Sequence, residues 1–489
     1  MWVAVYRSPR GSEGSSAMKH LVLLGLVLTV ALLAVRNKIP SGIYGYDEAD
    51  YMFAASMGVA ANWVDVGTIP ITDFVKIGLQ RGSDKGQQSA LSTIARDSRD
   101  PVVYRHWHGP LYYYWLAMVS SLGLNEHTTL ALGMIIPAVT GVALYFGSLL
   151  ILGGMEGQVA GILAAALFLW SPVTLKTSEL APHMVFQLCY VCLLLALAKV
   201  EAGGGRRYYY AAVVSTGLAF STMEVAFVPI LVVAVFGWWR RGLLASDWRM
   251  ARNAAGLFLA TVLVAWPSGL LKLNFLKAYF VMAYLAVFRK GAWGDVTMAQ
   301  TWVDRVLITP FEWMLFAIAL VLFLAGRKRD RLGQATFLFF IGLMVLATIK
   351  VYAEGPRYMV PFFGAVELFT AWAIAPALVR LQKPWLVYGA IAAICGFTIL
   401  NTEYKMAGFL LSEDPRPAKM LSGLRQNGLT EKTVLADKQF LPSLHYYFPR
   451  MRVVTYTEAS QIPDKRKAGH VDAVLYPDYS LKLDAGEGR

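Results

Sequence analysis

Residues 44–53 read YGYDEADYMF, and they bring three carboxylates, Asp47, Glu48 and Asp50, close together. Only 16% of the 489 residues are charged, and the cluster follows soon after an apolar run at 21–35. Water reaches carboxylates at the end of such a run, so an ordinary solvated helix cap is one interpretation. A functional site at the membrane boundary is the other, and the rest of the sequence favours it.

The composition is that of a membrane protein with many spans. Hydrophobic residues make up 56% of the chain, which is too apolar for a soluble globule. The formal net charge is +13, but basic residues flank the apolar runs and form no single patch, so nucleic acid is not an expected partner. Cys189, Cys192 and Cys395 fall inside apolar runs, so neither a disulfide framework nor an aqueous metal site is expected.

About eleven apolar runs approach the length that a helix needs to cross the hydrocarbon core. The first is expected to remain as a span, because no small-residue cleavage site follows it and Arg36, Asn37 and Lys38 close it. Residues 1–18 before it are expected to be a disordered extension. The runs lie at 21–35, 128–152, 157–170, 184–198, 208–220, 225–238, 254–270, 313–325, 335–348, 359–379 and 384–400.

Basic residues in the short loops set the orientation of these spans. Four loops rich in Lys and Arg fall on one side, at 199–207, 240–252, 327–331 and 380–383. Assigning that side to the cytoplasm puts the N-terminus inside. It puts the long loops 36–127 and 272–310, the turn at 350–357 and the tail 402–489 outside. The expected location is a bacterial-type inner membrane, with the functional face outward.

The first long loop carries two predicted helices. Ala49, Phe53, Met57 and Ala60 recur at helical spacing, which predicts an amphipathic helix along the membrane surface. A second helix is predicted to start at Pro110, where an aromatic set suited to the membrane interface follows.

The tail 402–489 is polar and predicts a small exterior α/β domain. A helix at 418–426 is closed by Gly428, and a helical turn is predicted near Leu444. Short β-branched runs predict strands at 433–436, 453–456 and 471–476.

Three further motifs lie on the outer side of the predicted topology. HWHGPLYY occupies residues 106–113, and EGPRYMVP occupies residues 354–361. Between the third and fourth runs lie Ser178, Glu179, Pro182 and His183. Together with the acidic cluster, these motifs gather the polar chemistry of the chain at one side of the membrane.

The motifs YDEADY, HGPLYYYW and RYMVP occur in this order and on one side of the membrane. This arrangement resembles that of the C-type glycosyltransferases of the membrane. The resemblance is to the branch that holds protein O-mannosyltransferases and the bacterial transferase that puts aminoarabinose on lipid A. It implies an all-α polytopic fold over residues 19–401. It also implies an enzyme that moves a hexosyl or pentosyl group from a polyprenyl-phosphate carrier to a lipid, glycan or protein acceptor, with inversion by direct displacement.

The resemblance assigns roles to the acidic cluster. Asp47 matches the general base, and partial desolvation at the membrane boundary would make such a carboxylate a better proton acceptor. Glu48 would orient the acceptor or a metal. Asp50 lies about one helical turn further on, and an ordinary surface position is an equal interpretation for it.

The resemblance also implies cations for the departing phosphate. Arg357 in RYMVP suits the carrier phosphate, because a guanidinium binds phosphate oxygens through two parallel hydrogen bonds. An arginine that snorkels to lipid headgroups is the alternative. His108 matches a position where the aminoarabinose transferase has lysine, and His106 is its neighbour, but histidines beside a tryptophan at an interface are as often structural. Basic residues of the other long loop are further phosphate candidates, namely Lys272, Lys277, Arg289 and Lys290.

Two points stay open in the sequence. The relatives often carry a second acid where the fourth span begins, and here Glu179 and His183 are equal candidates. No metal or other cofactor is expected to be required, although carboxylates of the first loop with Glu179 would suit a divalent cation if they converge. A lipid-linked glycan ligase or polymerase, a membrane transporter and a structural membrane component are the alternative classes. The early acidic loop and the charges at outer helix ends count against them.

Overall fold

A computed structural model describes the fold of the greater part of the chain. Within the described residues the chain is mostly helical, with one small sheet near the C-terminus. The described ranges are 46–65, 70–73, 108–133, 135–171, 182–244, 247–277, 310–325, 360–410, 415–456, 459–468 and 470–483, with isolated positions at 24, 25, 28, 75, 174 and 279.

The first long loop contains three described helices, α1 (Tyr46–Ser56), α2 (Val59–Trp63) and α3 (Leu111–Ser120). Helix α3 follows Pro110, as the sequence predicts. The break between α1 and α2 falls at Gly58, whose positive φ of 87° favours glycine. The predicted helix is therefore present over Tyr46–Ser56, but it does not continue to Ala60 as one helix.

Helix α1 is buried around most of its circumference. Ala49, Tyr51, Met52 and Ala54 are each at most 3% exposed, and these positions do not share one helical face. Other parts of the protein cover α1 on several sides, so it does not lie with one face on the membrane and one in water.

Most predicted apolar runs form helices. The helices that follow α3 are α4 (Glu126–Gly133), α5 (Ile135–Leu152), α6 (Gly154–Trp170), α7 (Pro182–Lys199), α8 (Arg206–Phe220), α9 (Phe227–Trp239), α10 (Arg241–Leu244), α11 (Trp248–Ala265), α12 (Pro267–Leu271), α13 (Asn274–Leu276), α14 (Pro310–Ala325), α15 (Val360–Val379) and α16 (Pro384–Leu410). The predicted span at 335–348 lies outside the described residues, and of the span at 21–35 only three residues are described.

Three described helices are long and apolar enough to cross a membrane, at Ile135–Leu152, Pro182–Gly204 and Pro384–Glu403. Four shorter apolar helices accompany them, at Gly154–Trp170, Phe227–Trp239, Pro310–Ala325 and Phe363–Val379. Helix α6 is the central one, because it is buried along nearly its whole length and packs against α5, α15 and α16.

Three predicted span boundaries differ from the structure. The run at 128–152 begins earlier in the structure, at Glu126. The helix at the predicted run 254–270 is α11, and it begins earlier because Asp247 caps it by accepting a hydrogen bond from the Met250 amide. It also ends earlier, because Pro267 starts a new helix. The last run continues as helix to Leu410, past the predicted start of the second domain at 402.

The C-terminal domain, residues 415–483, contains a four-stranded sheet in the order β2-β1-β3-β4. Its first three strands are parallel, and β4 pairs antiparallel with β3. The predicted strand at 471–476 is shorter in the structure, and β4 and α19 were not predicted. The elements are α17 (Arg416–Gln426), β1 (Thr433–Asp437), α18 (Leu441–Tyr447), β2 (Arg452–Tyr456), α19 (Ile462–Ala468), β3 (Ala473–Leu475) and β4 (Leu481–Leu483).

Candidate functional site

Helix α1 carries the acidic cluster. Asp47 lies in its first turn, and Glu48 beside it is half-buried. Asp50 is completely buried, so the alternative that it is an ordinary surface residue is wrong. A fully buried carboxylate is costly to desolvate, so Asp50 depends on the groups packed around it.

His108 lies against this helix. The centre of its ring is 6.1 Å from the ring of Tyr51 in α1, and its side chain is only 7% exposed. The ring of Tyr51 also contacts Tyr112 and Tyr113 of α3, at 5.7 and 6.0 Å. The acidic motif and the HGPLYYYW motif therefore form one aromatic-lined cluster.

Main-chain contacts hold the HGPLYYYW motif in place. The Gly109 amide donates to the Thr222 carbonyl and the Leu111 amide to the Ser221 carbonyl, both at 3.1 Å. A Cβ at position 109 would lie 2.2 Å from the Ser221 carbonyl oxygen, so only glycine fits there. The turn after α8 thus fixes the start of α3 and the position of His108.

A second set of contacts centres on Asp65, which follows α2. Its Oδ2 atom accepts hydrogen bonds from Trp266 Nε1 at 3.2 Å, from Asn274 Nδ2 at 2.7 Å and from Ser268 Oγ. Asp65 is 3% exposed and has a positive φ of 48°, which is unusual for a residue with a side chain. We call these four residues the Asp65 junction.

Neighbouring residues extend the Asp65 junction. Trp63 Nε1 donates to the Val264 carbonyl, and the Tyr114 hydroxyl donates to the Ala265 carbonyl, both at 2.8 Å. Burial first, and the charge of Asp65 second, raise the pKa of Tyr114 above its usual value. The first long loop is thereby joined to the end of α11.

Two of the four basic candidates in the other long loop, Lys272 and Lys277, are described. Lys272 donates to the Val64 carbonyl at 2.5 Å, so it also ties the two long loops together. Lys277 is 2% exposed, which is unusual for lysine. The remaining basic candidates of this loop, Arg289 and Lys290, lie outside the described residues.

The second-site candidates are described in part. His183 is buried in the first turn of α7, and α7 contacts α3. Gln187 lies one turn further along α7, with neither amide atom hydrogen-bonded. Glu179 lies outside the described residues, so the choice between Glu179 and His183 stays a prediction. His106 and Arg357 also lie outside them.

The sequence reasoning missed two groups of residues. Asp65 lies in no sequence motif that distinguishes it from the other acidic residues of the loops. Glu312 of α14 and Glu367 of α15 are 3% and 2% exposed on neighbouring helices. Glu367 lies inside the predicted run at 359–379, which was a usable signal because ionisable residues in spans are costly and usually functional, whereas Glu312 lies just before the run at 313–325.

The described residues contain no group of three or more His, Cys, Asp or Glu side chains placed to hold a metal ion. Because part of the first loop is not described, the expectation that no metal is required stays a prediction.

By sequence alone the chain has no match. No profile of a known protein family matches it, and no curated protein matches it.

The fold, in contrast, matches solved structures over most of the chain. ArnT from Cupriavidus metallidurans, bound to undecaprenyl phosphate, has a TM-score of 0.60 at 14% identity, covering 94% of this chain and 89% of ArnT. The oligosaccharyltransferase AglB from Archaeoglobus fulgidus, in complex with an inhibitory peptide and a dolichol-phosphate, has a TM-score of 0.56 at 12% identity, covering 94% of this chain and 69% of AglB. Both have the GT-C glycosyltransferase fold, so the predicted helical GT-C fold is confirmed, whereas the number of spans and the exterior position of the C-terminal domain stay predictions.

Proposed function

We propose that the chain is a membrane glycosyltransferase that moves a hexosyl or pentosyl group from a polyprenyl-phosphate carrier to an acceptor. The observation that carries the proposal is the contact between two distant motifs, because α1 with its acidic cluster packs on α3 and on His108. The two solved proteins of this fold were captured with lipid phosphates, which supports a carrier of that kind.

In the proposed reaction Asp47 removes the proton from an acceptor hydroxyl or amine. The acceptor atom then attacks the sugar carbon that is bonded to the phosphate. The bond from this carbon to the phosphate oxygen breaks, and polyprenyl phosphate leaves with the electron pair. One displacement inverts the sugar carbon and needs no covalent sugar–enzyme intermediate. Glu48 orients the acceptor next to the base.

The leaving phosphate needs positive charge and hydrogen-bond donors. We assign this role to Arg357, with His108 and His106 as further donors. His108 supports the assignment, because its buried ring lies beside the helix that carries Asp47. Glu179 or His183 forms the second site, and the acceptor is a lipid, glycan or protein.

We place the reaction at the outer face of a bacterial-type inner membrane, with the C-terminal domain on the same side. The loop charges support this placement, because the predicted inner loops carry the Lys and Arg residues. Labelling a cysteine introduced at Ser480 with an impermeant reagent tests it. Reaction from outside is expected, and protection would place the domain on the other side.

The test of the activity uses the purified chain in proteoliposomes with labelled polyprenyl-phosphate sugars and membrane extract. We expect transfer of the label and release of polyprenyl phosphate in the wild type. Arg357→Ala should lose roughly 100-fold in rate, the scale of one missing electrostatic donor. Arg380→Ala, at an exposed arginine after α15, is the matched control and should retain the wild-type rate. No transfer with any carrier, or equal rates in both variants, would contradict the proposal.

We further propose that no metal is required. Transfer should continue in a chelator, since side-chain cations serve the phosphate. Activity that is lost in chelator and restored by magnesium or manganese would overturn this proposal.

A further inference from the structure

The C-terminal domain contacts the helix that carries the acidic cluster. Helix α18 of this domain packs directly on α1. The ring of His445 in α18 lies 5.3 Å from the ring of Phe53 in α1. Helix α1 therefore lies between α3 on one side and the C-terminal domain on another.

The same helix α18 contacts a second element of the membrane part. The Tyr447 hydroxyl donates to Glu126 Oε2 at 2.8 Å, across 321 residues of sequence. Glu126 begins α4, which leads into the span α5. Tyr446 also packs against the hydrophobic core of the membrane helices. Three successive side chains of α18 thus contact the membrane part of the protein.

Helix α18 is itself firmly held within its own domain. Leu444 of α18 and Phe448, which follows it, are buried in the hydrophobic core of the domain. The guanidinium of Arg425 in α17 lies 5.9 Å from the ring centre of Tyr447 and 5.5 Å from that of Phe448. A shift of the domain would therefore carry His445 and Tyr447 with it, and the contacts on α1 and α4 would break together.

Helix α1 depends on such contacts for its position. It has 11 residues, and isolated helices of that length are marginal in water. Its neighbour α2 is only 5 residues long and follows the turn at Gly58. Packing from α3 and from α18 thus determines where the first turn of α1, with Asp47, lies.

We propose that the C-terminal domain is a positioning element for the site, and that His445 and Tyr447 are positioning residues: His445 holds α1 through the contact with Phe53, and Tyr447 holds the domain on α4 through the hydrogen bond to Glu126. His445 acts through Phe53, and Tyr447 through Glu126. The kinetic part of this proposal rests on the proposed function, whereas the docking part does not.

The test uses the full-length protein in nanodiscs and measures hydrogen exchange in peptides that cover residues 46–56. His445→Ala removes the ring, Tyr447→Phe removes the hydrogen bond, and His445→Phe restores an apolar ring. His470→Ala, at an exposed histidine of the same domain, is the matched control. We expect exchange in α1 to be roughly tenfold faster in His445→Ala, the effect of losing about 1.4 kcal/mol of local stability. His445→Phe and His470→Ala should match the wild type.

Turnover provides the second readout. In His445→Ala, kcat should fall by roughly tenfold while the donor KM stays constant, because the base is displaced and the carrier site is not. His445→Phe should restore kcat, which a loss of general stability would not explain.

Unchanged exchange in α1 in both His445→Ala and Tyr447→Phe would overturn the proposal. If the wild type transfers no sugar, the proposed function fails and the exchange data still decide the docking. Faster hydrogen exchange in β1 of His445→Ala would show that this variant loosens its own domain. In that case the exchange in α1 of Tyr447→Phe decides whether docking positions α1.

Discussion

The first long loop is attached at two places, and the two attachments differ in kind. The Asp65 junction joins it to the end of α11 and to α12 and α13 through one buried carboxylate with three donors. The contact with α18 uses a ring pair, one hydrogen bond and a half-buried histidine. The first attachment lies within the membrane part of the protein, and the second connects two domains.

Because the two attachments differ in kind, we expect one to stay closed and the other to open more easily. A buried carboxylate with its donors cannot open without leaving charged and polar groups unsatisfied, so the Asp65 junction is expected to stay closed. A contact between domains opens at lower cost, because water can replace the hydrogen bond between Tyr447 and Glu126. The loop is thus fixed at its Asp65 end and adjustable at α1, which carries the acidic cluster.

The largest effect is expected when the Asp65 junction is broken. Asp65→Ala leaves the buried donors of Trp266 and Asn274 without an acceptor and should lower the free energy of unfolding by about 3 kcal/mol or more. Asp65→Asn keeps one oxygen acceptor and should cost less. Thermal unfolding in detergent measures both. Equal Tm values for Asp65→Ala and the wild type would show that the junction does not stabilise the protein.

A smaller, pH-dependent effect is expected at α18. Burial lowers the pKa of His445 to about 4 from a usual 6.5, so the docked state binds fewer protons than the undocked state. Docking is therefore at full strength above pH 6.5 and weakens as the pH falls towards 4. Hydrogen exchange in α1 should accelerate over this range in the wild type and less in His445→Phe. The same acceleration in both proteins would show that His445 is not its cause.

The smallest effect is expected at the hydrogen bond between Tyr447 and Glu126. Tyr447→Phe and Glu126→Leu should each weaken docking, with a coupling energy of about 1 kcal/mol between them in a double-mutant cycle. Hydrogen exchange in α1 and α4, measured in the wild type, the two single variants and the double variant, supplies the four free energies of the cycle. Strictly additive effects would mean that the two residues act independently, and the bond would then have no part in docking.

Local patterns predicted the elements well. Pro110 precedes α3 as expected, and Gly428 follows α17 with a positive φ of 64°. Strands β1 and β2 lie within one residue of their predicted ends, because β-branched runs between turn residues are a local signal. The three-residue strand β4 is too short to produce such a signal.

Contacts between distant segments could not be predicted in this way. The pairing of Asn274 with Asp65 spans 209 residues, and no periodicity in either segment records it. The burial of Asp50 likewise follows from the packing of α3 and α18 around α1, which the sequence of α1 cannot show. The sequence placed the acidic and HGPLYYYW motifs on the same side of the membrane, whereas the contact between Tyr51 and His108 follows from the packing of α1.

The most direct test of the account measures sugar transfer by Asp47→Asn together with binding of the donor. The substitution keeps the shape of the side chain and removes the proton acceptor, so kcat should fall by at least roughly 100-fold while the carrier binds as in the wild type. Asp464→Asn, the same change at an exposed residue of α19, should transfer at the wild-type rate. Near-normal turnover in a folded Asp47→Asn protein would contradict the central claim and return the acidic cluster to a structural role.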